Sequence, residues 1–202
     1  MARQTGSKNK LARRAGIDLG LKTNGVKLSR RLNIPPGQHG RKGSRKQSEY
    51  GIQLREKQKV KWVYGIMEKQ FGRYYTQATK KTGETGKELL RLLECRLDNT
   101  VYRLGFAPTR AAARQMVSHG QVKINNQKVD RPSYQVTPGE SISISDKASK
   151  IPAVASILAE KNINVPKWLE RQGLVGRIKT MPDRADVDIE INENLVVEYY
   201  SR

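Results

Sequence analysis

The chain of 202 residues contains very little cysteine and histidine, and both shortages exclude kinds of site. The single cysteine, Cys95, cannot form an internal disulfide, which is consistent with a reducing compartment, and its leucine-rich surroundings predict a buried structural thiol. Neither histidine, His39 or His119, has a second metal ligand nearby, so we expect no metal site and no cofactor. No apolar run approaches the roughly 20 residues of a membrane-spanning helix, and Met1–Lys10 lacks the apolar segment of a secretory signal.

Motifs for phosphate, dinucleotide or zinc chemistry are also missing, since no GxxxxGK[ST], GxGxxG or HExxH occurs. Three carboxylates, Asp183, Asp186 and Asp188, are clustered, but they lie in a segment that alternates acidic with apolar residues and predicts a strand-like ending. A solvated acidic face, or one that meets a basic protein, explains them better than a catalytic pair does. We therefore expect no catalytic residues and no enzymatic activity.

Acidic residues are scarce where basic residues are abundant. Lys and Arg number 39 against 19 Asp and Glu, a formal net charge of +20. Residues 1–61 carry a net +14, residues 62–139 a net +7, and residues 140–202 a net −1. This imbalance favours a polyanionic partner, and it places the partner's surface in the first two-thirds of the chain. A hydrophobic content of 36%, below the usual value of about 45–50%, predicts small cores and segments that order on a partner.

The stretch from Thr85 to Ser145 predicts two helices followed by short strands. Thr85 and Glu88 form a capping box, and a leucine-rich stripe then continues at helical spacing until Gly105. The second helix runs from Pro108-Thr109 to Gly120. After it, residues 122–129 and 142–144 alternate apolar with polar side chains around an Asn-Asn turn and a Pro-Gly turn.

The second helix has a basic face. Arg110, Arg114 and Ser118 recur every four residues, whereas Ala112 and Met116 lie on the other side of the helix. We expect this helix to bury Met116 and to present both arginines to a ligand, beside the turn His119–Gln121.

The first 75 residues combine basic charge with aromatic rings. Residues 1–46 lack a sustained apolar period, and we expect them to thread along phosphates and to order on binding. Residues 48–75 predict helix with Ser48 as N-cap, and six of the twelve aromatic residues lie between Tyr50 and Tyr75. Such a combination suits base stacking with phosphate neutralisation, although the rings could also fill a small helical core. We expect Trp62 and Phe71 to be mostly core, and Tyr50 and one of the pair Tyr74-Tyr75 to contact RNA.

Several motifs resemble a known family. Arg96-Leu97-Asp98, Thr109–Gln115 and Val117–Gly120 are similar to the RNA-binding module named after ribosomal small-subunit protein four. Pro35–Gly40, Ser48–Lys59 and the ending Val196–Ser201 resemble the bacterial and organellar form of that ribosomal protein itself. Many members hold a structural zinc with four cysteines near the N-terminus; here Asn9 and Ala12 stand where the first pair is expected, so that site cannot be built.

We therefore predict an α+β protein: a mainly helical N-terminal domain with a basic extended arm, and a small helix-helix-β-hairpin RNA-binding module with a short antiparallel sheet. The arm covers residues 1–46, the helical rRNA-binding domain covers 47–90 with the segment 180–202 as a candidate addition, and the module with the following helix covers 91–179. The candidate RNA-binding residues are Arg13, Arg14, Arg30, Arg31, His39, Arg41, Tyr50, Arg55, Lys57, Lys59, Arg110, Arg114, Ser118, His119 and Gln121.

The resemblance implies a structural constituent of the small ribosomal subunit that binds 16S-type rRNA, nucleates assembly of the subunit body and influences translational accuracy. It also implies small-subunit protein five as a neighbour, mRNA where it enters the subunit, no membrane partner, and a place on cytoplasmic or organellar ribosomes. Two alternatives use the same module: an RNA-modifying enzyme such as a pseudouridine synthase, and a heat-shock RNA chaperone. The enzyme would need a catalytic domain outside residues 90–150, and the chaperones are shorter and lack the Ser48–Lys59 resemblance.

Overall fold

The structure is a computed structural model that describes residues 4–22, 25–40, 46–159, 164–188 and 190–201. The chain divides into two compact units, the first comprising residues 1–88 and 189–202 and the second residues 89–188. The helices are α1 (Lys8–Ala15), α2 (Val26–Ser29), α3 (Glu49–Val63), α4 (Glu68–Thr79), α5 (Thr85–Glu94), α6 (Leu97–Arg103), α7 (Arg110–Ser118), α8 (Asp146–Ser149), α9 (Pro152–Ala159) and α10 (Glu193–Tyr200). The strands are β1 (Val122–Ile124), β2 (Gln127–Lys128), β3 (Ser141–Ile144), β4 (Leu169–Gln172) and β5 (Val175–Ile178).

The first unit is helical and is built around the packing of α10 on α3. Ser48 caps α3 as predicted, because its hydroxyl accepts a hydrogen bond from the Gly51 amide at 3.2 Å. Phe71 and Val63 are buried, whereas Trp62 is only half-buried. Within the part of the chain that the structure describes, no helix is long and apolar enough to span a bilayer.

The N-terminal arm is more structured than its composition predicts. Helices α1 and α2 form within it, and Leu11, Leu19 and Leu28 are buried. These leucines, together with Ala12 and Ala15, supply the buried residues of the arm without an apolar period that extends over its whole length. Ala12, one of the two positions at which the family resemblance led us to expect a cysteine, is 2% exposed and packs as an apolar residue.

The predicted strand-like ending is wrong. Residues Arg184–Asp186 form a 3-10 turn, in which Asp183 and Asp186 make a reciprocal capping box. The final apolar run forms the helix α10, whose N-cap Asn192 accepts a hydrogen bond from the Asn194 amide at 3.2 Å. The acids of this segment have separate roles rather than sharing one face of a strand: Asp186 caps the 3-10 turn, and Asp188 pairs with Arg103.

The helix that the leucine stripe predicted to run without interruption to Gly105 is divided into two helices, α5 and α6. The chain is extended at Arg96, which separates α5 from α6 and forms a β-bridge with Gln135. The backbone around the break bonds to residues 134–136: Leu97 donates to Tyr134 and Val136 donates to Cys95, both at 2.9 Å. These distant partners replace helical hydrogen bonds, so the interruption could not be read from local spacing.

The remaining helix signals are confirmed in part. Thr109 caps α7, accepting a hydrogen bond from the Ala112 amide at 3.2 Å, and Gly105 and Gly120 have φ values of +68° and +65°. Thr85, predicted as an N-cap, is instead the first residue of α5. The buried face of α7 consists of Ala113, Met116 and Val117, so Met116 is buried as predicted.

A five-stranded antiparallel sheet with strand order β2-β1-β3-β5-β4 completes the second unit. The predicted turn between β1 and β2 is confirmed, because Asn125 and Asn126 have φ values of +48° and +67°. β4 and β5 were not predicted, and they extend the sheet beyond the module. One face of the sheet is buried with α6 and α7 in a core that includes Trp168 and Cys95. The α+β fold class is confirmed.

Candidate nucleic-acid interface

The predicted contact residues of the arm lie on α1, α2 and the loop that follows. Arg14, Arg30, Arg31 and His39 are exposed, so their side chains can reach a ligand. Arg13 differs from them, because its Nε donates to the Ile34 carbonyl at 2.8 Å and its Nη2 to the Pro35 carbonyl at 3.0 Å. Arg13 therefore braces the Pro35-Pro36 bend against α1. Arg41 lies outside the described residues.

The Pro35–Gly40 bend is tightly closed. The amide of Gly40 donates to the Gly37 carbonyl at 3.3 Å, and Gly37 has a φ of +115°. A Cβ on Gly40 would overlap the Pro35 carbonyl group, so this position excludes every other residue. The bend therefore holds His39 in an exposed loop of defined shape.

Helix α3 carries four predicted contacts, but the structure buries two of them. Tyr50 is 47% exposed, with its ring centroid 5.7 Å from that of Tyr199, and Arg55 is half-buried. Lys57 is only 3% exposed and Lys59 only 8%, and their ammonium groups lie 2.7 Å from Glu68 and 2.6 Å from Glu56. Lys57 and Lys59 are therefore engaged in intramolecular ion pairs, and their predicted contacts with RNA stay a prediction.

The carboxylate of Glu68 is the centre of a cluster that joins three helices of the first unit. It accepts hydrogen bonds from Lys57 at 2.7 Å, from Lys61 at 2.9 Å and from the Tyr200 hydroxyl at 2.8 Å. Partial burial by itself would raise the pKa of Glu68, but these three donors outweigh it and lower the pKa from 4.5 to about 2. Burial, followed by the hydrogen bond to Glu68, raises the pKa of Tyr200. Glu68 therefore holds α3, α4 and α10 together, with Lys57 4.4 Å from the Tyr199 ring centroid.

In the second unit, the first turn of α6 orients the two predicted arginines of α7. The Nε of Arg110 donates to the Asn99 side-chain oxygen at 2.8 Å, and its guanidinium carbon lies 4.5 Å from the Tyr102 ring centroid. Arg114 lies 3.6 Å from the carboxylate of Asp98. Both arginines are therefore part of a polar network on the side of α7 that the helical spacing predicted.

Buried partners make that network rigid. Asp98 accepts two hydrogen bonds from Arg96, at 3.0 and 2.6 Å, and Asn99 donates to Glu94 at 2.7 Å. Glu94 in turn accepts from Arg103 at 3.1 and 3.0 Å, and Arg103 also pairs with Asp188. Because Asn99 is an uncharged acceptor, its bond to Arg110 fixes the guanidinium without adding a negative charge beside it.

The turn after α7 gathers the other predicted contacts. Ser118 and His119 are exposed and Gln121 is half-buried, and Gly120 between them adopts the left-handed conformation. The structure therefore groups Arg110 and Arg114 on one helix, with Ser118, His119 and Gln121 at its C-terminal end. Whether these residues contact RNA stays a prediction.

Two further sets of residues near this surface were not among the sequence candidates. The first set is Asp98, Asn99 and Tyr102, which support the arginines of α7. Asp98 belongs to a family motif, but the contact of all three residues with α7 depends on how α6 packs against α7. Lys123 and Lys128 are exposed on the hairpin β1–β2. The strand alternation Val122-Lys123-Ile124 was the signal for Lys123, because buried neighbours on both sides direct its side chain outward.

Possible metal ligands are not clustered in the described ranges. Among residues 4–22, 25–40, 46–159, 164–188 and 190–201, no group of three or more histidine, cysteine, aspartate or glutamate side chains could hold a metal ion. The arrangement offers arginines, lysines, amides and a histidine, which are donors suited to phosphate oxygens and base edges.

Comparison with known proteins gives matches along the whole chain. The family model described as the ribosomal protein S4/S9 N-terminal domain matches residues 3–94, and the S4 domain matches residues 95–142. The chain is 48% identical to the small ribosomal subunit protein uS4 of Nocardioides sp., 47% identical to that of Cupriavidus taiwanensis and 49% identical to that of Marinobacter nauticus. Each alignment spans 207 positions and covers the whole of both chains.

Proposed function

Because this chain belongs to the family of small ribosomal subunit protein uS4, we propose that it is a structural constituent of the small subunit that binds 16S-type rRNA directly and nucleates assembly of the subunit body. The observation that carries the proposal is similarity to ribosomal proteins from the first residue to the last. An RNA-modifying enzyme would need a catalytic domain beside the module, whereas residues 3–94 match the ribosomal protein S4/S9 N-terminal domain, which favours the ribosomal role.

The charge distribution supports RNA as the principal partner. The net charge of +14 on residues 1–61 comes with exposed Arg14, Arg30 and Arg31, which are not members of any ion pair in the part of the chain that the structure describes. Arginines of this kind neutralise backbone phosphates and release counterions, so affinity should fall steeply with salt. The oriented Arg110 and Arg114 would add a second region of contact, on the S4 domain.

Binding to purified RNA tests the proposal. The full-length protein is titrated with 16S-type rRNA and with 23S-type rRNA at several potassium chloride concentrations. We expect saturable binding that favours the 16S-type RNA by at least about 1.4 kcal/mol, or tenfold, at every concentration. Equal affinity for both RNAs would contradict a specific role in the small subunit and would leave only general attraction to polyanions.

Assembly and decoding are tested separately. In reconstitution of the small subunit, omission of this protein should leave an incompletely assembled particle that sediments slowly, and early addition should be more effective than late addition. We further propose, from the family resemblance, that the protein contacts small-subunit protein five and influences translational accuracy near the incoming mRNA. Misreading of a reporter codon by ribosomes that carry variants of this chain measures that influence; unchanged misreading across surface variants of both units would argue against it.

A further inference from the structure

The hairpin β1–β2 presents two lysines on one exposed face. In the antiparallel register Lys123 stands directly opposite Lys128, so the two side chains leave the sheet on the same side. Val122 and Ile124, the neighbours of Lys123, are buried on the opposite side. The two lysines therefore form a cross-strand pair of like charges on the solvent-facing side of the sheet.

Nothing in the described parts of the second unit compensates this charge. Neither ammonium group has a hydrogen bond or ion pair with another described residue. The same row of the sheet continues through Ser143, Val175 and Gln172, none of which is acidic. Like charges placed directly opposite each other destabilise a strand pair. An anion that binds between them would remove this repulsion.

The side chain of Lys128 also lies close to the turn after α7. It crosses that turn, since a Cβ built on Gly120 would overlap the Lys128 side chain at Cε. Gly120 itself has a φ of +65°, which favours glycine at this position. Lys128 consequently lies against the turn His119–Gln121, beside the residues at which the sequence predicts an RNA contact.

We propose that Lys123 and Lys128 form a further binding site for the phosphates of rRNA, which extends the predicted contact surface from the turn His119–Gln121 onto the sheet. The proposal rests on the proposed function, since it takes the rRNA backbone as the ligand. Lysines act here as point charges on phosphate oxygens, so the site would contribute affinity and orientation rather than recognition of particular bases.

A pair of charge-matched double variants tests the site. Lys123→Gln with Lys128→Gln removes two positive charges from the hairpin, and Lys147→Gln with Lys150→Gln removes two from exposed positions on and just after α8 in the same unit. Affinity for 16S-type rRNA is measured for each full-length protein across a range of potassium chloride concentrations. The hairpin variant should flatten the slope of log K against log salt by about 1.4–1.8, at 0.7–0.9 per phosphate, while the control keeps the wild-type slope.

Thermal unfolding of the free proteins separates binding from folding. Removal of a repulsive pair should leave the melting temperature at low salt unchanged or higher, even as RNA affinity falls. If the melting temperature falls instead, the charge-preserving variant Lys123→Arg with Lys128→Arg is measured as well. A slope of log K against log salt equal to the wild-type value supports the site, and a slope as flat as that of the glutamine variant overturns it. Equal slopes for the hairpin and control variants also overturn it. Failure of the wild-type protein to prefer 16S-type rRNA would count against the proposed function, which is a different result.

Discussion

Replacement of Glu68 by glutamine should selectively weaken the first unit. The substitution preserves the size of the side chain but removes the charge that Lys57, Lys61 and Tyr200 share. Lys57 is then left with its ammonium group buried near the Tyr199 ring and without a carboxylate at Glu68. A buried cation that loses its partner is costly, because the cation remains removed from water.

The pKa of Glu68 sets the size of the effect. A decrease of its pKa from 4.5 to about 2 would correspond to roughly 3.4 kcal/mol of stability, at 1.36 kcal/mol for each unit of pKa. The Glu68 side chain is 48% exposed, so solvent screens these interactions and we reduce the expected loss to about 1.5 kcal/mol at pH 7.

The loss should depend on pH in a defined direction. Because the folded state lowers the pKa of Glu68, the charge contributes stability above pH 4.5 and loses it as the pH falls from 4.5 towards 2. Glutamine resembles the protonated acid. The difference between wild type and variant should therefore be complete near neutrality, shrink below pH 4.5 and approach zero near pH 2.

Tryptophan fluorescence allows the first unit to be followed alone. Trp62 lies in the first unit and Trp168 in the second, so a Trp168→Phe background leaves Trp62 as the only tryptophan. Urea is the suitable denaturant, because guanidinium chloride would screen the ion pairs. Glu84→Gln is the matched control: its partner Lys87 lies 3.0 Å away, both side chains are more than half exposed, and the change should be under about 0.5 kcal/mol.

Two results would refute this reasoning. If Glu68→Gln and Glu84→Gln unfold with the same free energy at pH 7, the cluster contributes no more than a surface ion pair. If Glu68→Gln is less stable by an amount that stays constant from pH 7 to pH 2, the loss arises from packing or hydrogen-bond geometry rather than from the charge of Glu68.

The remaining predictions concern RNA affinity and zinc. Replacement of both Arg110 and Arg114 by alanine should weaken binding to 16S-type rRNA by about 2–4 kcal/mol, because each is expected to make a charge-assisted contact. The far-ultraviolet circular dichroism should stay the same. An unaltered dissociation constant at fixed salt would contradict a role for α7. Chelators should neither release zinc from the purified protein nor lower its melting temperature, because no cysteine precedes Cys95; stoichiometric zinc measured by atomic absorption would show that another ligand set exists.

The features that could be predicted from the sequence are those decided within a few residues. Ser48 and Thr109 cap their helices because a side-chain oxygen reaches an amide three residues ahead. Gly105 and Gly120 end helices, and Asn125-Asn126 turns the hairpin, because these residues tolerate a positive φ. The basic character of the first two-thirds of the chain follows from composition alone, as does the absence of cysteine ligands before Cys95.

Distant contacts decided the rest. The helix break at Arg96 depends on backbone bonds to residues 134–136, and α10 depends on its packing against α3. Lys57 looked like an exposed cation because spacing along α3 does not reveal the carboxylate of Glu68 on α4 or the α10 tyrosine ring near it. Lys59 is different, because its partner Glu56 lies three residues earlier on the same helix. The limit that applies to Lys57 also applies to Arg110, whose orientation is set by Asn99 on a different helix. Caps, turns and ion pairs within one helix are short-range and can be read from the sequence pattern, whereas charged partners on different elements are determined only when those elements pack together.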